Sequence, residues 1–172
     1  MQTIIVPDAG PLITLAYADS LNLLLLPGWE VRICDMVLHE LTRTQTPTSE
    51  AIASWLLSNG FVIETTETYK HYKINDADAE RKQRNLGELA AQELMLELSR
   101  RMPSTKLIFL FEDAKVAKAG FVLPDQCSKV TTRAFLRYLE QRGLISSSVA
   151  IERAANQAGR QFSAMNIDSG LV

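Results

Sequence analysis

The sequence contains few residues of the kinds that crosslink small proteins or bind transition metals. It has two cysteines, Cys34 and Cys127, and two histidines, His39 and His71, among 172 residues. Two isolated cysteines do not make a disulfide framework, and they predict buried or free thiols in a reducing cytoplasm. The His39-Glu40 pair has no second histidine at the spacing that zinc sites use. Histidine-based or cysteine-based metal chemistry is therefore not expected.

An excess of positive charge and a long apolar run are also lacking. The formal net charge is −2, so nucleic-acid affinity would need local basic patches or metal ions held by acidic residues. No apolar run approaches the roughly 20 residues of a bilayer-spanning helix, and no basic N-terminal segment precedes an apolar one. We expect a cytoplasmic protein that does not associate with membranes. The length and the 47% hydrophobic content predict a single domain over residues 1–172.

What the sequence does contain is an alternation of short apolar runs and amphipathic segments. This alternation predicts an α/β protein whose mainly parallel sheet is covered by helices on both faces. Strands are expected at Thr3–Val6, Val31–Cys34, Phe61–Glu64, the run KLIFLF at Lys106–Phe111, and Phe121–Leu123. Helices are expected from about Pro11, over MVLHELTR with Asp35 as its cap, over AKVAKA after Asp113, and over residues 49–58, 86–100, 131–142 and 147–158.

Residues 66–85, TETYKHYKINDADAERKQRN, interrupt this pattern. The stretch is highly charged and nearly devoid of aliphatic side chains, so it can bury little apolar surface. A solvated loop or an exposed helix is the simpler interpretation. The alternative is a mobile flap or an arm that binds a partner.

Two aspartates come directly after apolar strands. Asp8 follows the first strand and Asp113 follows the run LIFLF. Ligands of open parallel sheets bind outside the carboxyl ends of the strands, so the two carboxylates converge if these strands are neighbours. The alternative for each residue is an ordinary helix N-cap. Strand position alone leaves both interpretations open.

Two glutamates lie on or near the apolar faces of predicted helices. In the helix LGELAAQELMLELSR, the apolar face is centred on Ala91, Leu94, Met95 and Leu98, with Glu93 and Glu97 opposite. Glu88 projects within about 20° of Met95, at the edge of that apolar face. Glu40, in VLHEL, also has apolar neighbours. Both glutamates are candidate ligands, although either could simply border the core.

Several carboxylates at one sheet edge repel one another unless a cation lies among them. Hard oxygen ligands select Mg²⁺ or Mn²⁺, which keep bound waters and bind phosphate oxygens. Such a site can activate water and stabilise the leaving oxygen of a phosphodiester. The pattern therefore favours metal-dependent phosphodiester cleavage.

Four stretches, in this order, resemble the PIN-domain ribonucleases, and in particular the bacterial branch that includes toxins of the VapC type. They are IIVPDAGPLITLA, VLHEL, NLGELAAQELMLEL and FLFEDAKVAKAGF, and the resemblance covers about residues 3–145. It implies a PIN-like three-layer α/β/α sandwich. It also implies that Asp8, Glu40, Glu88 and Asp113 are the catalytic and metal-binding acids, with Glu112 able to assist or substitute. VTTRAFLRYLEQRGLI resembles the segment after the last acid, which places Thr131 or Thr132 near the site.

The chain departs from the family pattern at two positions near these acids. Many members carry a small hydroxyl residue two positions after the first acid, where this chain has Gly10. The residues before Asp113 are Phe111 and Glu112, where a threonine or serine is common. The charged stretch 66–85 is also longer than a minimal member needs.

The first functional hypothesis is a Mg²⁺- or Mn²⁺-dependent endoribonuclease, the toxin of a toxin–antitoxin pair. The resemblance implies an RNA substrate, an antitoxin partner and a homodimer. Lys115, Lys118 and Thr131 are candidate substrate contacts, although the lysines could equally be ordinary solvated residues.

The second hypothesis is a catalytically weak or inactive PIN-fold module that binds protein or nucleic acid. Two other acid-dependent classes fit less well. A phosphorelay receiver expects paired acids after the first strand, and a haloacid-dehalogenase-type phosphatase expects an aspartate at the position of Gly10.

Overall fold

A computed structural model of the protein describes residues 2–75, 86–112 and 123–160. Its five strands are β1 (Thr3–Pro7), β2 (Glu30–Cys34), β3 (Val62–Glu64), β4 (Lys106–Phe111) and β5 (Cys127–Thr131). Within the described ranges, seven α-helices flank the sheet: α1 (Ala9–Tyr17), α2 (Asp35–Thr42), α3 (Pro47–Asn59), α4 (Glu67–Asn75), α5 (Leu86–Arg101), α6 (Thr132–Gln141) and α7 (Ser148–Gln157). A short 3-10 helix covers Leu21–Leu25.

The strands form one sheet in the order β3-β2-β1-β4-β5, and every neighbouring pair is parallel. The chain therefore begins in the middle of the sheet, proceeds to one edge, and then returns to the other side of β1. In such sheets the crevice at the carboxyl ends, where the winding direction reverses, is the usual ligand site. Here that point lies between β1 and β4. The Asp8 N–H donates to the Leu110 carbonyl at 2.8 Å, just beyond the last residue of β1.

The helices cover both faces of the sheet. Because crossovers between parallel strands are right-handed, the reversal places the helices before β3 and those between β3 and β4 on opposite faces. α1 packs with α3 and α7, and α5 packs with α4, while α2 contacts helices of both groups, α1 and α3 as well as α4 and α5. The predicted α/β class, with a parallel sheet in a three-layer arrangement, is confirmed.

The two central strands carry the core. Ile4, Ile5 and Val6 of β1 and all residues from Leu107 to Phe111 of β4 are buried. Continuous apolar runs of this kind are typical of parallel strands covered on both faces. The same property made these two strands predictable from the sequence.

The last described strand does not lie at Phe121–Leu123, where the sequence predicts it. Leu123 lies outside any strand, residues 121 and 122 are outside the described ranges, and the last strand is β5 at Cys127–Thr131. Among the described strands, β5 pairs with β4 alone and forms one edge of the sheet. Its sequence CSKVT is mostly polar, and only Val130 and Thr131 in it are buried. The helix predicted over AKVAKA lies outside the described residues.

The first half of the charged stretch 66–85 is a helix, α4, and is not simply solvated. Tyr69 and Tyr72 pack against the core, and both rings contact His39 of α2. Two aromatic side chains one turn apart are enough to dock an otherwise polar helix, since each buries a large apolar area. Residues 76–85 lie outside the described ranges.

Across the parts of the chain that the structure describes, no helix is both long enough and apolar enough to cross a bilayer.

Candidate active site at the carboxyl edge of the sheet

Asp8 occupies the N-cap position of α1 without acting as its cap. Its backbone is extended, as at an N-cap, but its side chain accepts no capping hydrogen bond from the helix. The residue is half-buried and follows directly after β1. The interpretation of Asp8 as an ordinary helix cap is therefore wrong, and its carboxylate lies at the sheet's point of reversal.

Glu112 follows the neighbouring central strand, β4, at the same edge. Its Oε2 accepts a hydrogen bond from the Thr14 hydroxyl at 3.0 Å and forms an ion pair with Nη2 of Arg160 at 2.9 Å. The side chain is only 10% exposed. Its other oxygen, Oε1, is buried and has no hydrogen-bond partner among the residues that the structure describes. A buried carboxylate satisfied on one oxygen only is unusual, since unpaired buried acceptors are costly.

Gly10, the position at which the resemblance to PIN-domain ribonucleases predicts a small hydroxyl residue, packs closely against Glu112. A Cβ at this position would lie 3.1 Å from Glu112 Cβ and 3.4 Å from Glu112 Oε2. A serine or threonine would therefore press on the carboxylate. Thr14, one turn later on the same helix, donates its hydroxyl to this carboxylate at 3.0 Å.

Glu40 lies against the N-terminus of α5. Its Oε1 accepts a hydrogen bond from the Gly87 N–H at 3.1 Å, a contact between residues 47 positions apart. A Cβ on Gly87 would be 2.7 Å from Glu40 Oε2 and 2.9 Å from Oε1, so only glycine leaves room for the carboxylate. The positive end of the helix dipole favours a negative group here. Glu88, the next residue, is thereby brought close to Glu40.

Glu88 itself is half-buried in the first turn of α5. The predicted apolar face of this helix is confirmed, because Ala91, Leu94, Met95 and Leu98 are all buried. Glu93, however, is not merely solvated. It accepts hydrogen bonds from the N–H groups of Glu67 at 2.6 Å and Thr68 at 3.0 Å, and so holds the N-terminus of α4.

Asp35 was expected to cap α2, but it is the first residue of that helix and a buried anchor. Its Oδ1 accepts hydrogen bonds from the Met36 N–H and the Thr66 hydroxyl, each at 2.8 Å. Its Oδ2 accepts one from the Thr66 N–H at 2.9 Å. Asp35 therefore ties the start of α2 to the segment that follows β3, and it has a structural role.

Thr131 is the N-cap of α6. Its hydroxyl accepts a hydrogen bond from the Ala134 N–H at 3.1 Å, and the residue is buried at the end of β5. In the sheet it pairs with Phe111, which places it at the same edge as Glu112. The neighbouring Thr132 hydroxyl is buried without a partner. The predicted contact of Thr131 with substrate stays a prediction.

Among the described residues, the predicted acids form two separate pairs. Asp8 and Glu112 follow adjacent strands, and Glu40 lies beside the turn that carries Glu88. Among residues 2–75, 86–112 and 123–160, no group of three or more His, Cys, Asp or Glu side chains is positioned to hold a metal. Asp113, Lys115 and Lys118 lie outside those ranges. Convergence of all four acids therefore stays a prediction.

Sequence reasoning missed three residues that shape this edge. They are Thr14, Gly87 and Arg160, which contact Glu112 or Glu40 from distant parts of the chain. Arg160 is separated from Glu112 by 48 positions. The sequence holds one indication of Arg160, the Gly-Arg pair at residues 159–160, because a glycine that ends a helix fixes the direction of the residue after it.

Comparison of the chain with protein-family models, with curated proteins and with solved structures found no match. The likeness to PIN-domain ribonucleases therefore stays a prediction from the residues quoted above.

The absence of a side chain at Gly87, beside the Glu40 carboxylate, gives a first prediction. In a helix, replacing glycine with alanine ordinarily stabilises the protein by about 0.5–1 kcal/mol. In Gly87→Ala the new methyl group would displace the Glu40 carboxylate, which can move because it ends a flexible side chain. We expect unchanged or slightly higher thermal stability together with weaker Mn²⁺ binding, measured by melting and by titration calorimetry. Unchanged Mn²⁺ affinity would show that the position of Glu40 does not matter for the metal.

The ionisation of Glu40 gives a second prediction. Burial raises the pKa of Glu40 above its ordinary value of 4.5, although the Gly87 N–H, Arg43 and His39 oppose the shift. The folded protein therefore binds a proton here more readily than the unfolded chain. The resulting stability is complete below the unfolded pKa and is lost as pH rises through the folded pKa.

In metal-free buffer, the free energy of unfolding of the wild type should fall relative to that of Glu40→Gln as pH rises above about 4.5. Denaturant titrations at several pH values measure this difference. Mn²⁺ should raise the melting temperature near neutral pH and much less near pH 4, because protonated carboxyl groups bind metal poorly. If the free energies of unfolding of wild type and Glu40→Gln change in parallel with pH, Glu40 does not bind a proton more readily in the folded protein.

Proposed function

We propose that this protein is a Mg²⁺- or Mn²⁺-dependent endoribonuclease of the PIN type. The observation that supports it most is the placement of two carboxylates, Asp8 and Glu112, directly after the two central strands where the sheet reverses its winding. This is the position at which open parallel sheets bind their ligands. The RNA substrate and the PIN assignment rest on the resemblance in the sequence.

The donor atoms at this edge fit a hard divalent cation. All the candidate ligands are carboxylates, and Oε1 of Glu112 is a buried oxygen that lacks a partner in the described part of the chain. His39, the histidine next to Glu40, has its Nε2 within 3.2 Å of the Tyr72 hydroxyl and packs among aromatic rings. Oxygen donors without histidine or thiolate favour Mg²⁺ or Mn²⁺ over zinc.

In this proposal Asp8, Glu40, Glu88 and Asp113 hold the cation, directly or through water, with Glu112 assisting. The cation supplies an activated water and stabilises the leaving oxygen of the phosphodiester. The chain's own contribution is to fix the carboxylates in place. The Gly87 N–H orients Glu40, and the β1–β4 pairing sets the spacing between Asp8 and Glu112. Lys115, Lys118 and Thr131 are the proposed contacts to the RNA backbone.

The biological setting is likewise part of the proposal and rests on the resemblance. The protein is proposed to act in the cytoplasm as the toxin of a toxin–antitoxin pair, and to form a homodimer. Light scattering on the purified chain tests the dimer, and a strict monomer at high concentration would remove it without affecting the nuclease assignment.

The second candidate function is a binding module that retains the fold without the chemistry. One observation favours it: Glu112 already has a protein cation, Arg160, as its counter-charge. A metal-titrated nuclease assay separates the two functions. We expect the wild type to cleave a mixed RNA pool with Mn²⁺ or Mg²⁺ and to lose this activity in EDTA. If it cleaves nothing with either metal, the binding module becomes the better proposal.

A further inference from the structure

Arg160 connects the end of the last described helix to the proposed active site. Its Nε donates to the Thr14 hydroxyl at 2.9 Å, and its Nη2 donates to Glu112 Oε2 at 2.9 Å. The Thr14 hydroxyl in turn donates to the same Glu112 oxygen at 3.0 Å. The three side chains thus form a closed triangle of hydrogen bonds between α1, the end of β4 and the residue that follows α7.

The backbone after α7 turns in a defined way to place Arg160. Gly159 has a φ of 102°, a conformation that side-chain-bearing residues rarely adopt. The Gly159 N–H bonds to the Asn156 carbonyl and the Arg160 N–H to the Ala155 carbonyl, each at 3.0 Å. This pair of bonds is a Schellman motif, which ends the helix sharply and fixes the direction of the next residue. A hydrophobic residue often occupies this position, but here it is a charged arginine.

The triangle satisfies only one of the two Glu112 oxygens. Oε2 receives both donors, while Oε1 is buried and has no partner within residues 2–75, 86–112 and 123–160. If Arg160 served only to neutralise a buried acid, its fork of donors could engage both oxygens, as Arg133 does with Glu152 at 3.0 Å each. Instead, one oxygen is fully bonded and the other is left for a different ligand.

We propose that Arg160, together with Thr14, is a positioning residue that orients Glu112 so that Oε1 serves as a cation ligand. This inference rests on the proposed function. The donors on Oε2 hold the carboxylate in one rotamer and direct its remaining acceptor capacity to Oε1. Outer partners of this kind typically change metal affinity by about 10–100-fold when they are removed.

The test uses two substitutions that leave the net charge unchanged. Arg160→Lys keeps the positive charge, but an ammonium group cannot reproduce the fork that reaches both Thr14 and Glu112. Thr14→Val keeps the shape of the buried side chain and removes the hydroxyl. We expect each variant of the full chain to bind Mn²⁺ about 10-fold or more weakly than wild type by titration calorimetry. Circular dichroism and melting curves establish that both variants are folded.

The matched control is Glu152→Gln, which breaks the Arg133–Glu152 ion pair between α6 and α7. The Arg133–Glu152 pair is shielded from solvent to a similar degree as the Arg160–Glu112 pair, and it also anchors α7. The Glu152→Gln variant should therefore lose stability without losing Mn²⁺ affinity. If Arg160→Lys and Thr14→Val behave like this control, the triangle is only structural and the inference is overturned. The same conclusion follows if either variant binds Mn²⁺ more tightly than wild type.

The two proposals can fail separately. A wild type that binds Mn²⁺ but cleaves no RNA would refute the nuclease function, while the affinity comparison would still decide the role of Arg160. Absence of Mn²⁺ binding in the wild type would overturn both.

Discussion

Asp8→Asn should abolish metal-dependent RNA cleavage while leaving the protein folded. The substitution keeps the size and shape of the side chain and removes the charge that a divalent cation needs. Because the Asp8 side chain makes no capping hydrogen bond to α1, little helix stability should be lost. We expect activity to fall by at least about 100-fold, since even outer partners of metal ligands are worth about 10–100-fold. Mn²⁺-dependent cleavage of an RNA pool and thermal melting measure the two effects.

The matched control for this experiment is Asp19→Asn. Asp19 is exposed, has a φ of 50°, and follows α1 at the opposite end of that helix from Asp8. Asparagine tolerates this left-handed conformation well, so both activity and stability should stay at the wild-type level. If wild type cleaves RNA and Asp8→Asn cleaves it equally well, Asp8 is not a metal ligand.

Asp35→Asn should have the opposite result, a large loss of stability. Both carboxylate oxygens of Asp35 accept hydrogen bonds from buried donors, on Met36 and Thr66. An asparagine must place its amide NH₂ against one of these donors, which leaves unpaired polar groups in the interior. The expected loss is about 2–3 kcal/mol, and each kcal/mol lowers the melting temperature of a chain of this size by roughly 2–4 °C.

Denaturant titrations of Asp35→Asn and Asp19→Asn measure this difference in the free energy of unfolding. Equal stability of the two variants would mean that the contacts of Asp35 with Thr66 contribute little. Below its new melting temperature, Asp35→Asn should still bind Mn²⁺, because Asp35 anchors α2 and is not among the proposed ligands. Asp8 and Asp35 both lie between a strand and a helix. These experiments would assign Asp8 to metal binding and Asp35 to the stability of the fold.

The sequence predicted the central part of the fold because burial on two faces leaves a simple pattern. The runs of β1 and β4 are continuously apolar, and the buried face of α5 repeats with helical spacing. Both features are local in the chain. The position of Asp8 at a strand end was predictable for the same reason.

Other features depend on contacts between distant residues and leave no local pattern. The edge strand β5 is mostly polar, and only its last two residues are buried, so it lacks the continuous apolar run that marks β1 and β4. Helix α4 docks through Tyr69 and Tyr72 on His39, although its other residues are largely charged. The absence of a hydroxyl at Gly10 could be understood only once Glu112 was found to fill that space.

The central claim is that the acids at the carboxyl edge of the sheet bind a divalent cation. The most direct test is an anomalous-difference map from crystals of the full chain grown with Mn²⁺. We predict a peak in direct contact with the Asp8 carboxylate and coordinated, directly or through water, by Glu40, Glu88 and Asp113. A map without a peak at that edge, at a Mn²⁺ concentration that supports RNA cleavage, would contradict it.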